Sequence, residues 1–472
     1  MHDTADLIGM TATQVVDLLN RGDITGLDLL DALEARIVDV EPRVNALSTL
    51  CFERARAHAR RLLALPAGER GVLGGLPVPI KDLTKVAGVR TTFGSKVHEN
   101  HIPDTSDLLV ETLEAAGAVI YAKSNTPEFG AGGNTFNDVF GPTRNPHDLT
   151  RSAGGSSGGA AAALASGAAW LAHGSDLAGS LRTPAGFCGV ASLRPSPGLI
   201  ASGPKKLPFD VLAQHGAMAR SVEDVALMSD ALAGGSAFSG LSKPAPATSF
   251  RSAAQQPQRP HRVAFSADLG VTTTDPDVLV VCEAAMREIE KAGVGVAADH
   301  PDLSGVHEAF GVLRAVHFAV DLGGDLARAR ALIKPEVVWN VEQGLALDGA
   351  TIRDALAVQG RLFGTAAQFM ADYDVLICPA AIVEPFPIEE RYPGHGAGVP
   401  VSDYYKWLAI AYAITMTSLP VITLPCGTTT DGLPVGIQLV GRPHGEAGLF
   451  SYARFIEQVL GLDPAPIEPK GR

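Results

Sequence analysis

The chain has 472 residues, 46% hydrophobic and 19% charged, which fits a folded protein with a large core and excludes wholesale disorder. A formal net charge of -13 without any basic stripe excludes a nucleic acid as the main partner, because binding phosphate requires clustered Lys and Arg. Five cysteines, Cys51, Cys188, Cys282, Cys378 and Cys426, form no CxxC pair and fit reduced core thiols better than a disulfide framework. The first residues, Met1 to Asp6, lack a basic segment leading into an apolar one, and no apolar run reaches membrane-spanning length. Neither a secretory signal nor a membrane is expected, and cytoplasmic residence is the default. No group of His, Asp and Glu stands at ligand spacing, so the expectation is no metal and no cofactor.

In chain order, residues 1–70 read as a helical preface, with Val15, Val16, Leu18 and Leu19 in one apolar cluster. Leu29, Leu30, Leu33, Ile37 and Val40 then recur at helical spacing up to Pro42. From Leu76-Pro77-Val78-Pro79-Ile80 the pattern alternates short apolar runs with helices. Helix 107–116 stops at Gly117, strand 118–122 follows, small-residue helix 160–166 stops at Gly167, and strand 168–172 runs on to Gly174-Ser175-Asp176. This alternation predicts an α/β fold. Residues 234–260 read as an exposed connection, and helix 278–292 precedes a less legible stretch to about 370. Val375–Pro379, Val421–Pro425 and Leu433–Leu439 read as buried strands and Glu446–Val459 as a closing amphipathic helix.

Three segments have the residue types for chemistry. Lys81 ends an apolar strand; its ordinary reading is a surface lysine paired with Asp82, whereas a buried ammonium would lose its proton near neutrality and become a base. Gly154-Gly155-Ser156-Ser157-Gly158-Gly159 runs straight into an alanine-rich helix, which favours a tight loop at a helix N-terminus over a flexible linker. It satisfies G-x-S-x-G twice, but the polar, proline-containing Asn145–Arg151 predicts no strand before it, against a nucleophile elbow. In Gly174–Pro184 the small residues after a strand allow backbone N–H groups to converge as in an oxyanion hole, although Ser180 alone reads as a helix N-cap.

Together these segments resemble the amidase-signature family, whose defining stretch is matched from Gly154 through Ala185, with the serine spacing from 156 to 180 that the family uses. Gly75–Asp82, Lys123–Gly130, Phe140–Pro146, Gly216–Arg220 and Gly432–Gly441 extend the likeness. The resemblance implies one domain over residues 1–472, a large mixed β-sheet core covered by helices on both sides. It also implies a Ser-Ser-Lys triad. Ser180 would attack the amide carbonyl, Ser156 would pass its proton to neutral Lys81, and water would resolve the acyl-enzyme. The oxyanion would meet the N–H groups of Leu177, Ala178, Gly179 and Ser180, with Ala178 standing where the family most often has glycine. Ser157 would support the relay by hydrogen bonding, and Asp176 with Arg182 would pin the loop.

The partner implied is a small amide, a neutral aryl or aliphatic one, with carbamates and esters as further options; a homodimer is an open alternative to a monomer. Gly130, Ala381, Ile382, Tyr404 and Trp407 are the candidate substrate-binding residues, with Phe318 as a further wall, although core packing is the competing reading for the apolar ones. Two rival functions remain. One is that of a glutamine-using amidotransferase subunit; the other is that of a catalytically silent binding protein on the same scaffold. Thr126-Pro127-Glu128-Phe129-Gly130 leans toward stand-alone amidases, and retention of all three triad residues speaks against the silent protein.

Overall fold

A buried apolar run must pair its amides with another strand once its side chains leave water. In the computed structural model, which describes residues 4–471, thirteen strands do so among those residues. They are β1 (Leu47–Leu50), β2 (Pro77–Lys81), β3 (Val119–Ser124), β4 (Arg144–Asn145), β5 (Asp148–Ser152), β6 (Leu171–Asp176), β7 (Ala191–Arg194), β8 (Gln214–Ala219), β9 (Arg262–Phe265), β10 (Gly295–Ala298), β11 (Val375–Pro379), β12 (Val421–Thr428) and β13 (Pro434–Val440). Eight make one mixed sheet in the order β10-β9-β11-β13-β12-β7-β8-β6, in which β9 pairs parallel with β10 and β11 and the other pairs are antiparallel. A three-stranded sheet has the order β1-β3-β2, and β4 pairs with β5.

The site depends on two sheet edges. Pro77 and Pro79 lack donors, so β2 can only be an edge strand, and it is one. Its open side lies against β6, the edge of the large sheet, and every residue of β2 is buried there. The helix Gly158–Ala165, built of glycine, alanine and one leucine, is buried along its whole length. A side chain on Gly159 would sit 2.4 Å from the Asn125 amide nitrogen and 2.5 Å from the Ala46 carbonyl oxygen.

The α/β class and the mixed sheet agree with the sequence reading; several boundaries do not. The preface contains helices Thr4–Gly9, Ala12–Arg21, Gly26–Val44 and Phe52–Leu63, but β1 interrupts it, because Leu47–Leu50 has only one buried residue and carries no apolar signal. Its first three residues lie outside those described. The strand expected at 168–172 is β6, which starts at Leu171 and runs through the small polar end. Asp148–Ser152, expected to be non-strand, is β5, closed against β4 as a short hairpin. A strand thus does precede the glycine-rich loop, but β5 lies outside the main sheet. The illegible middle is three long helices, Val306–Ala329, Pro335–Leu345 and Gly349–Phe369. The last buries only Ala355, Leu362 and Ala366, too thin an apolar stripe to read from pattern. Of the exposed connection expected at 234–260, residues 234–249 bury no side chain, but Phe250–Ala254 is a short helix that buries Phe250 and Ala254; Val375–Pro379 and Glu446–Val459 match their expected bounds. No helix among the described residues is long and apolar enough to cross a membrane.

Gly159→Ala forces a methyl group into backbone and is expected to lower stability by about 3 kcal/mol or to prevent folding. Gly448→Ala, in open space on the last helix, should raise stability by up to about 1 kcal/mol; thermal unfolding of both variants checks the contrast.

Candidate active site

β2 ends at Lys81 and Asp82 opens the turn that follows, and the two side chains take different partners. Asp82 turns away from Lys81 and takes Lys123, at 2.9 Å, as its buried ion-pair partner, while Thr92 donates to it from both backbone and hydroxyl. Lys81 is left facing hydroxyls. Its Nζ lies 2.8 Å from Ser156 Oγ, 2.8 Å from Ser157 Oγ, 3.1 Å from Ser175 Oγ and 3.2 Å from the Ser175 carbonyl oxygen. The surface reading of Lys81 is thus corrected: the side chain is fully buried and has no carboxylate in contact. Burial pushes its amine down from 10.5 to about 7, against the weaker upward pull of Asp176. Near neutrality much of Lys81 is the free amine, able to accept a proton.

The glycine-rich loop delivers the two serines to that amine. Ser157 sits between Lys81 and β6, receiving the Ser175 N–H at 3.3 Å, and its own N–H donates to the Ser180 carbonyl at 3.2 Å. Ser156 lies beside Gly130, where an added Cβ would fall 3.4 Å from Ser156 Oγ and 2.8 Å from a Leu83 methyl group.

Beyond β6 the chain turns through Leu177-Ala178-Gly179-Ser180, and the Asp176 carboxylate organises that turn. It accepts from Gly179 N at 2.8 Å, Leu181 N at 3.1 Å, Arg182 at 3.0 and 2.9 Å and Arg194 at 3.3 Å. Arg182 continues to the Ala411 carbonyl, Gln438 and Thr415. Burial alone would raise the Asp176 pKa, but the Arg182 and Arg194 charges hold it well below the usual carboxylate range. Ser180 does not cap the helix, as it would if read in isolation: Leu181 holds that position, with no side-chain cap bond. The Gly179 N–H is committed to Asp176, whereas those of Leu177, Ala178 and Ser180 meet no acceptor among the described residues. Gly179 has φ +111°, and a side chain there would strike Ala411. Ala178 is outside the positive-φ region, so its methyl group fits without backbone strain.

Ser156, Ser175, Ala178 and Ser180 line a cavity of about 470 Å³ together with Gly130 and Phe318. Phe93 and Phe129 add aromatic wall, both held at positive φ, a strain of about 1–3 kcal/mol each. Four of the sequence-predicted substrate residues do not line it. Tyr404 is buried with its hydroxyl bonded to Arg314 and Asn340; Trp407 stacks on Phe187 and meets the edge of Phe386. Ala381 is buried, and Ile382 belongs to the loop that receives the Asp275 amide. Their apolar character reflects core packing. The sequence reading missed a polar rim made of Lys205, Asp210, His215, His317 and Asp321. His317 stands 3.4 Å from Asp210 and 3.1 Å from Asp321; burial would lower its pKa, but the two carboxylates raise it to about 9. Only the period-two alternation of β6 could have put His173 and Ser175 on the Lys81 face in advance.

A family model described as Amidase matches residues 28–450. An acylamidase from Rhodococcus erythropolis is 34% identical over 454 residues, covering 95% of each chain. The A subunit of a glutamyl-tRNA(Gln) amidotransferase from Moorella thermoacetica is 33% identical over 485 residues, covering 96% of this chain and 97% of that one. Among solved structures, a 6-aminohexanoate cyclic dimer hydrolase complexed with substrate superposes with a TM-score of 0.89 at 26% identity, covering 98% of this chain and 99% of that one.

Asp176→Asn would strand two buried guanidinium groups and is expected to cost about 3–5 kcal/mol. Because the folded Asp176 pKa lies below the unfolded 3.8, the wild-type contribution is present above that value and lost as pH falls. Urea unfolding between pH 7 and pH 3 should therefore show the gap between the two proteins narrowing toward acid.

Proposed function

The chain belongs to the amidase-signature family and hydrolyses amides, and we propose that it does so through an acyl-enzyme on Ser180, with Ser156 as proton carrier and Lys81 as base. The observation that carries this reading is the buried Lys81 amine, 2.8 Å from Ser156 Oγ and surrounded by neutral groups. A hydroxyl both donates and accepts, so Ser156 can take the Ser180 proton while giving its own to Lys81. Attack by Ser180 Oγ on the carbonyl carbon then forms a tetrahedral oxyanion. The N–H groups of Leu177, Ala178 and Ser180 are its candidate donors, and each such donor is typically worth about 3 kcal/mol of barrier. Gly179 fixes the turn through Asp176. Returning the proton along the same path to the leaving nitrogen expels the amine, and water activated by the same base releases the acid.

The aromatic wall of Phe93, Phe129 and Phe318 favours a neutral aryl or aliphatic amide, with carbamates and esters within reach of the same chemistry. A glutamine-using amidotransferase subunit would share the relay; Thr126-Pro127-Glu128-Phe129-Gly130 and this apolar wall support the stand-alone amidase. Release of ammonia from glutamine, compared with anilide hydrolysis, separates the two.

Ser180→Ala is expected to abolish turnover and to prevent labelling by a fluorophosphonate, and labelling at Ser156 or Ser157 in the wild type would overturn the assignment. The neutral form of Lys81 is the working form, so kcat/KM should climb as pH rises through about 7, in line with its depressed pKa, and level off above it. Lys81→Met should leave trace activity without that limb.

A further inference from the structure

The mechanism leaves two histidines unused. His173 on β6 is fully buried, and His215 on β8 lines the cavity. β6 and β8 pair antiparallel with His215 opposite Ser175, the residue whose hydroxyl lies 3.1 Å from Lys81 Nζ. His173 is two residues before Ser175 and so shares its face. The two imidazoles bond to each other, His173 Nε2 to His215 Nδ1 at 3.0 Å, with ring centroids 5.1 Å apart.

Proton positions in this chain follow from one group that can only donate. The backbone N–H of Lys81 points at His173 Nδ1 at 3.4 Å, so Nδ1 must be an acceptor. A neutral imidazole with an unprotonated Nδ1 carries its proton on Nε2, and His173 therefore donates to His215 Nδ1. His215 in turn must carry its proton on Nε2. The opposite arrangement would put an N–H of His173 against the N–H of Lys81. Burial above all keeps both rings neutral, helped by the Lys123 charge near His173 and the Lys205 charge near His215: His173 is well below its ordinary pKa and His215 is lowered to about 3. The His215 Nε2–H has no acceptor among the described residues, and its ring is only partly covered.

We propose that His215 is a substrate-binding residue whose Nε2–H, fixed as a donor by the Lys81–His173–His215 chain, recognises a second acceptor oxygen on the substrate, so that the enzyme selects amides carrying a carbonyl group besides the scissile one. A neutral ring whose Nδ1 is engaged has no free lone pair for proton abstraction, which sets this role apart from a general base. A substrate without the acceptor leaves the N–H unpaired when water is expelled from the cavity, and the discrimination rests on that penalty. The inference builds on the amide-hydrolase reading, because the selection it describes acts on the group bound beside Ser180.

The test compares plain aliphatic anilides with keto analogues that place one extra carbonyl at successive positions along the chain. The wild type is expected to prefer at least one keto substrate, and His215→Phe to reduce that keto-to-plain ratio of kcat/KM about tenfold, mainly through KM. His215→Gln retains an N–H donor and should keep most of the ratio. Ratios unchanged in His215→Phe, or no keto preference in the wild type, would overturn the proposal. Nitrogen-15 NMR of the histidine-labelled wild-type protein gives an independent reading: both rings should be protonated at Nε2 at neutral pH, and a His215 proton on Nδ1 overturns the assignment without any assay. Turnover that survives Ser180→Ala would instead remove the catalytic reading and leave the tautomer result standing.

Discussion

One buried carboxylate holds the site together. Asp176 ends β6, accepts the amides of Gly179 and Leu181, and is matched by the guanidinium groups of Arg182 and Arg194, so strand, turn, following helix and β7 share a single anchor. Through Arg182 the anchor reaches the Ala411 carbonyl and Gln438 on β13. Two cations around one anion also limit how strongly Asp176 can draw Lys81 toward its charged form. The same cluster thus shapes the turn bearing Ser180 and leaves the Lys81 amine free to lose its proton.

The site forms where two sheet edges meet. β2 and β6 lie side by side without a ladder between them; the Lys81 N–H donates to a His173 ring instead of a carbonyl, and the Lys81 side chain crosses to the Ser175 hydroxyl and carbonyl. The prolines that keep β2 at an edge therefore help place the base. With Asp82, the first residue after β2, turned to Lys123, neighbouring residues serve opposite ends, one holding a structural ion pair and one kept poor in charge.

Legibility followed the range of the interactions. Strands such as Val375–Pro379 and the terminal helix Glu446–Val459 were readable because their burial repeats with a fixed local period. β1 and the helix Gly349–Phe369 were not, since their apolar stripes are thin and burial there comes from partners distant in the chain. Tyr404 and Trp407 show the same limit at the site: aromatic character is equally suited to a pocket wall and to a core, and only the surrounding residues place them in the core. The rim of Asp210, His215, His317 and Asp321 left no local signal, as two separate segments supply it.

By itself the sequence determined the α/β class, the three segments bearing Lys81, Ser156 and Ser180, and their order, because glycines, prolines and apolar runs act over a few residues and leave a pattern in one dimension. Tertiary structure alone decided that Lys81 is buried rather than paired with Asp82, that Ser180 faces a cavity rather than capping a helix, and which side chains line that cavity. Desolvation and side-chain direction depend on what packs from elsewhere in the chain, and no local pattern carries that information.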